Sequence, residues 1–465
     1  MSVGRKELQS DELSGLSSIS LRCVECSALY PMIEGGQVMS LPRYRCNCGG
    51  VLDAEVSSSS QQLDNTPDAA TGSASWQRLF DERASRLATW PSRRGNALLD
   101  ASGVWRYREL VLPLPERFVV SRPEGNTGLY PVGTANCGSD RPGHRQIGLY
   151  AGLEDFFLKH EGENPTGSFK DRGMTVGITM ANLLGAKAVA CASTGNTSAS
   201  LASYAAQAGM RSIVFLPAGS VAPGKLAQSL AYGATTIQVR GDFDDAMRLV
   251  EQVCDELSIY LLNSLNPFRI EGQKAIAFEL LQQLDWDAPD WLVLPAGNLG
   301  NTSAIGKALQ QAYRLSLIGR IPRIASIQAA GANPFYRSFM SSFASREVVE
   351  PHTVASAIKI GNPVSYARAR HVIEMSDGVV EEVSDEEILA AKGVIDRAGI
   401  GCEPASAATL AGVHKLVARG IIKGNDRVVG VLTGNLLKDS VTGIAEEIGS
   451  VVVEPHIDAV RAVLS

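Results

Sequence analysis

The chain has 465 residues, 45 of them glycine, with 45% hydrophobic and 20% charged residues. There is material for about three domains, the apolar content excludes a disordered chain, and glycines without a triplet period exclude collagen. Lys plus Arg number 43 against 49 Asp plus Glu, a formal charge of -6, with the signs interleaved, so neither nucleic acid nor a membrane surface is an expected partner.

The polar opening MSVGRKELQSDELSG lacks the apolar core of a signal peptide, and no run approaches the ~18 apolar residues of a membrane span. The expectation is a soluble, cytoplasmic protein. Within residues 1–56, Cys23 and Cys26 (CVEC) and Cys46 and Cys48 (CNCGG) form two knuckles that resemble a zinc ribbon, in which two thiolate pairs converge on a tetrahedral cation. The second knuckle is Cys-x-Cys, a poorer clip than Cys-x-x-Cys, so a ribbon-like fold without its metal is the alternative. The scattered Cys137, Cys191, Cys254 and Cys402 read as small buried apolar residues. Residues 57–75, from SSSSQQ to TGSAS, have almost no apolar content and read as a flexible linker. Residues 76–465 then form the main unit. Its lead-in, Trp76 to Pro123, carries the aromatic anchors Trp76, Phe80, Trp90 and Trp105, read as packing residues.

From about Leu149 the pattern becomes regular. Apolar or β-branched runs at Ala188 to Ala192, Ser212 to Leu216, Thr235 to Val239, Trp291 to Leu294 and Ile324 to Gln328 alternate with helical stretches. The helices include Arg172 to Leu184, Ser198 to Ala208, Phe243 to Leu257, Glu271 to Leu284 and Thr302 to Arg314. Such alternation predicts an α/β fold with parallel sheets covered by helices. In open sheets of this kind ligands sit beyond the carboxyl ends of the strands.

Four strand-to-helix loops stand out. HEGENPTGSFKDRGM (His160 to Met174) places Lys170 at the start of a helix, where a cation is disfavoured and a neutral or imine-bound amine is easier to understand. ASTGNTSAS (Ala192 to Ser200) offers hydroxyls, an amide and backbone N–H groups at a helix start. PAGNLGN (Pro295 to Asn301) follows a strand and precedes a helix, and Gly297 and Gly300 let the backbone approach a phosphate. LTGNLLKD (Leu432 to Asp439), after the strand Arg427 to Val431, supplies the hydroxyl of Thr433. A reactive lysine, a phosphate cradle, an amide for a phenolic oxygen and a hydroxyl for a ring nitrogen together point to pyridoxal 5'-phosphate.

These loops, with NSLNPFRIEGQK (Asn263 to Lys274), resemble those of the threonine synthases, pyridoxal-phosphate enzymes of the tryptophan-synthase-β-like fold (fold type II), over roughly Trp76 to Gly449. WQRLFDER, SGVWRYRELVLP and EGNTGLY resemble the plant-type branch. The resemblance implies a two-domain α/β catalytic unit with Lys170 as the Schiff-base lysine. It makes Asn196 the partner of the phenolic oxygen, Gly297, Asn298, Leu299, Gly300 and Asn301 the phosphate loop, and Thr433 the partner of the pyridine nitrogen. Ser193, Thr197, Asn263, Ser264 and Arg269 match positions that hold the substrate phosphate. The implied reaction turns O-phospho-L-homoserine and water into L-threonine and phosphate, and the implied assembly is a homodimer. One departure is Asn435 and Leu436, where many relatives carry His-Gly. Two other readings fit the same residues: another lyase of this fold, such as a serine or threonine dehydratase or a cysteate-synthase-like enzyme, and a catalytically silent cofactor-binding regulator.

Overall fold

The computed structural model describes residues 16–34, 37–39, 43–56, 72–85, 97–193, 195–218, 223–241, 243–439, 453, 455 and 457–464. Strands are numbered along the chain. The N-terminal segment holds β1 (Ile19–Cys23), β2 (Leu29–Pro31), β3 (Ile33–Glu34), β4 (Gln37–Val38) and β5 (Leu52–Val56). There follow β6 (Leu129–Pro131), β7 (Asp155–His160), β8 (Ala188–Ala192), β9 (Arg211–Pro217), β10 (Thr235–Val239), β11 (Tyr260–Leu261), β12 (Trp291–Pro295), β13 (Arg323–Ala329), β14 (Val379–Val383) and β15 (Arg427–Leu432).

Two larger sheets result. One is four-stranded, in the order β10-β9-β8-β11, and the other six-stranded, in the order β14-β13-β12-β15-β7-β6. Every pairing in them is parallel except that of the three-residue edge strand β6 with β7. The runs AVACA and WLVLP are buried at every position, as strands covered on both faces must be. Helix starts follow local chemistry. Ser384 and Glu387 form a capping box before Asp385–Arg397, and Asn266 caps Pro267–Gln273 by accepting from the Phe268 N–H, with Pro267 in the first turn. That cap explains one difference from the sequence reading: the helix expected from Glu271 begins at Pro267, and a second helix, Ala275–Gln283, continues it. The helices expected from Arg172 and Ser198 likewise begin at Lys170 and Asn196. Of the stretch read as a linker, residues 57–71 lie outside the described residues, and the helix Ser73–Ser85 takes its last three. Trp90 also lies outside them. Trp76 stacks on Phe80 at 5.7 Å, and Phe80 in turn contacts Tyr107 and Trp286, so these aromatics serve packing.

β7 escapes sequence reading because Asp155, Lys159 and His160 interrupt its apolar pattern. Lys159 is fully buried, and its Nζ donates to Glu279 Oε1 at 2.6 Å and to the Thr127 carbonyl at 2.7 Å. Arg172 completes the group. Its Nε and Nη2 form a two-pronged pair with Glu161, both at 2.6 Å, and Nη2 reaches Glu279 Oε1 at 2.8 Å. Two cations and two carboxylates thus neutralise one another inside the protein.

The N-terminal sheet, in the order β2-β1-β5, docks on the main unit through polar contacts of β5. Asp53 pairs with Arg368 at 2.7 Å, and Lys307 donates to the Ala54 carbonyl at 2.6 Å and to Glu271 at 2.5 Å. Glu271 also pairs with Lys274, so the N-terminal segment is tied to the helix Pro267–Gln273.

Burial alone would push Glu161 and Glu279 upward, but the charge of Arg172, with that of Lys159, holds both below the usual carboxylate range. A carboxylate depressed in the folded state contributes stability above its unfolded pKa and loses it on acidification. Arg172→Met leaves two buried carboxylates sharing one ammonium, and is expected to destabilise the fold by about 3–5 kcal/mol. Urea denaturation at pH 7 and pH 4 checks this: the deficit should shrink at pH 4, and an equal deficit at both would contradict the assignment.

Candidate active site

The β15–β7 register pairs Leu432 with His160, so the loops that follow these two strands leave the sheet side by side. Phe169 N–H donates to the Thr433 carbonyl at 3.0 Å, and Ser168 and Gly434 form an isolated bridge. Asn435 staples the same pair of loops, its N–H donating to the Gly167 carbonyl at 2.9 Å and its Nδ2 to that of Gly162 at 3.3 Å. This gives the departure at Asn435 a structural role. The Leu436 side chain lies against Gly401.

Lys170 opens the helix Lys170–Leu183. Its neighbours fix it. Asp171 accepts from the Thr166 N–H at 2.7 Å and from the Thr166 and Ser200 hydroxyls at 2.6 Å, while Arg172 is locked as described above. The Lys170 amine lies 4.1 Å from the Phe169 ring centroid and makes no ion pair among the described residues. Removal from bulk water, then the nearby Arg269 charge, pulls it down to about 7 against an opposing effect of Glu403.

Arg269 is buried on Pro267–Gln273, packed beside Gly173 and Gly177 of the Lys170 helix. It has no ion pair among the described residues, its Nε is unpartnered, and burial lowers it to about 10. Glu271, two residues further along, pairs instead with Lys274 and Lys307.

The second loop belongs to the four-stranded sheet. Asn263 exchanges two hydrogen bonds with the backbone of Ala192, and the Ser193 hydroxyl accepts from the Gly195 N–H at 3.3 Å. Thr197 and Ser264 are half-buried and make no side-chain hydrogen bond among the described residues. Asn196 is the first residue of its helix, and its Nδ2 donates to Glu403 Oε2 at 2.9 Å.

In the third loop, Leu299 takes the left-handed conformation (φ 63°) before the helix Gly300–Arg314. The Asn298 side chain accepts from the Val364 N–H. Asn301 is buried with both amide atoms unpartnered. Gly300 faces Gln273 and Ile270 at 3.6 and 3.8 Å from its Cβ position, so this loop adjoins the helix that carries Arg269. Gly297 lies against the Ile358 backbone.

Thr433 is buried, its hydroxyl 3.0 Å from Ser406 Oγ and donating to Glu403 Oε1 at 3.3 Å. Ser406 Oγ also accepts from the N–H groups of Thr433 and Gly434. Sequence reasoning missed both Glu403 and Ser406. In EPAS, a glutamate before a proline reads only as the entry to a helix, and nothing in the pattern tells that its carboxyl turns toward two other loops.

At the N-terminus, the four thiol sulfurs of Cys23, Cys26, Cys46 and Cys48 lie within 4.8 Å of one another. Gly49, at φ 89°, supplies the left-handed turn that lets the short Cys-x-Cys knuckle present both thiols. No helix among the described residues is long and apolar enough to cross a membrane.

Residues 145–434 match the family of pyridoxal-phosphate dependent enzymes. A threonine synthase of Methanocaldococcus jannaschii is 40% identical over 95% of this chain and 98% of its own length, and one of Methanosarcina acetivorans is 44% identical over 95% and 97%. Among solved structures, maize serine racemase is similar with a TM-score of 0.58 at 17% identity, covering 80% of this chain and 95% of its own, a likeness of fold alone. The lysine at the head of its helix, the glycine-bearing loops around it and this likeness along nearly the whole length agree: the chain belongs to the pyridoxal-phosphate-dependent enzymes and, within them, to the threonine synthases.

Proposed function

We propose that the chain converts O-phospho-L-homoserine and water to L-threonine and phosphate, with Lys170 holding the cofactor and moving protons. The observation that carries this reading is that neither Lys170 nor the buried Arg269 forms an ion pair among the described residues, while the charge of Arg269 helps pull the lysine down to about 7. The residues present fit pyridoxal phosphate. The unpartnered Asn301 amide and the head of the helix Gly300–Arg314 suit its phosphate, along with Gly297, Asn298 and Leu299. Asn196 suits the phenolic oxygen, and Thr433 the ring nitrogen. When bound, the cofactor supplies an electron-withdrawing ring that stabilises negative charge on substrate carbons.

The remaining chemistry falls to the side chains. In the net reaction the Cγ–O bond to phosphate breaks, Cβ takes the oxygen of water, and Cγ ends as a methyl carbon. Lys170 Nζ, with a pKa near the working pH, both accepts and returns protons. Arg269 offers a fork matched to the departing phosphate. Asn263 and Ser193 hold the loop after β8, and with Thr197 and Ser264 complete the phosphate pocket in this reading.

The four cysteines are proposed to hold structural zinc: a tetrahedral ion with Zn–S bonds of ~2.3 Å sets its sulfurs just under 4 Å apart, and these sulfurs approach to 3.4–3.5 Å in pairs. Residues 1–56 are then a metal-held module, 57–75 its linker, and 76–465 the catalytic unit. A cytoplasmic location, in keeping with eight unpaired thiols, and a homodimer complete the proposal.

Four measurements test it. Phosphate and threonine should appear in equal amounts from O-phosphohomoserine, and faster turnover of serine or threonine would favour a dehydratase instead. Arg269→Ala should raise KM for the phosphorylated substrate roughly 10–100-fold, as expected for loss of a charged hydrogen-bond partner; an unchanged KM removes it from the pocket. In cofactor-free protein, acylation of Lys170 should follow a titration centred near 7, whereas an ordinary lysine titrates near ~10.4. Elemental analysis should find about one zinc per chain, lost in Cys23→Ser; a metal-free chain of full stability refutes the zinc assignment.

A further inference from the structure

Glu403 is buried at 3% exposure and has no part in the reaction as set out above. It precedes the helix Pro404–Ala418 without capping it. Its two carboxylate oxygens serve different loops, Oε2 accepting from Asn196 and Oε1 from Thr433. The first loop follows β8 of the four-stranded sheet and the second follows β15 of the six-stranded sheet, so one carboxylate spans the cleft between the sheets. Space is reserved for it: a Cβ on Gly434 would stand 2.3–2.5 Å from the Glu403 carboxyl atoms, so no larger residue fits there while the carboxyl keeps this position.

Asn196 and Thr433 are the two residues assigned to the phenolic oxygen and the nitrogen of the cofactor ring. Both give a donor to Glu403. We propose that Glu403 is a positioning residue that holds the donors of Asn196 and Thr433 on its two oxygens and competes with the cofactor for them. The inference rests on the assignment of Asn196 and Thr433 made above. Three further charged groups act on this carboxyl or are acted on by it: Lys170, whose amine it favours in the charged form, and Lys438 and Asp439 beyond Thr433. Removing the carboxylate therefore frees the two donors and also leaves more of the Lys170 amine neutral, and both effects favour capture of the cofactor.

The test uses the full chain stripped of cofactor with hydroxylamine and mixed with pyridoxal phosphate at pH 7.5, following the absorbance of the bound form. Glu403→Ala should bind about tenfold faster than the unaltered chain, as befits the loss of a charged hydrogen-bonding competitor, and Glu403→Gln, a neutral competitor of the same shape, should fall between. Structural damage would slow capture, so the sign separates the two explanations. Unchanged or slower capture by both variants overturns the role of Glu403. Asn196→Ala and Thr433→Ala should each weaken binding in the same experiment; if neither does, the assignment of the ring's partners fails, whatever Glu403 does.

Discussion

The group formed by Arg172, Glu161, Glu279 and Lys159 is the constraint on which the reactive centre depends. Removing four charges from water is costly, and the cost is offset only when they meet in good geometry and the remaining donors and acceptors are used. Here Arg172 also donates to the Gly103 carbonyl, and Glu279 also accepts from the N–H groups of Asn126 and Thr127. The group therefore joins a strand, the turn after it, two helices and the lead-in segment at one point. Lys170 lies two residues from Arg172 on the same helix, so its amine inherits the fixed position without making an ion pair among the described residues. A lysine held by its own salt bridge would keep a firmly charged amine; this one is placed by its neighbours and left near neutrality.

Much of this architecture was legible in the sequence because it is written in continuous runs. AVACA and WLVLP have no reading other than buried segments, and the turn-rich loops after them carry their chemistry in adjacent residues. What was not legible depends on partners far apart in the chain. β7 hides because Lys159 is charged, and only Glu279, on a helix far along the chain, makes that charge tolerable inside. Glu403 hides for the same reason: its meaning lies in Asn196 and Thr433, which follow strands of two different sheets. The helix read from Ser198 starts earlier, at Asn196, since polar residues at the head of a helix resemble loop residues until their backbone is seen.

The N-terminal segment is more than an appendage. Asp53 and the Ala54 carbonyl reach Arg368 and Lys307, and Lys307 reaches Glu271, two residues beyond Arg269. The burial of these ions couples the cysteine knuckles to the helix that carries Arg269. That arginine is available because Glu271, its nearest acidic neighbour in sequence, is already claimed by two lysines.

The edge strand β6 has a separate consequence. A strand at the border of a sheet ordinarily offers a row of free N–H and C=O groups on which another chain can build. β6 is three residues long, runs against its neighbour, and ends in Pro131, which has no N–H to give. This border of the six-stranded sheet is thus a poor template for strand addition, a safeguard against aggregation during the slow assembly of a mostly parallel sheet.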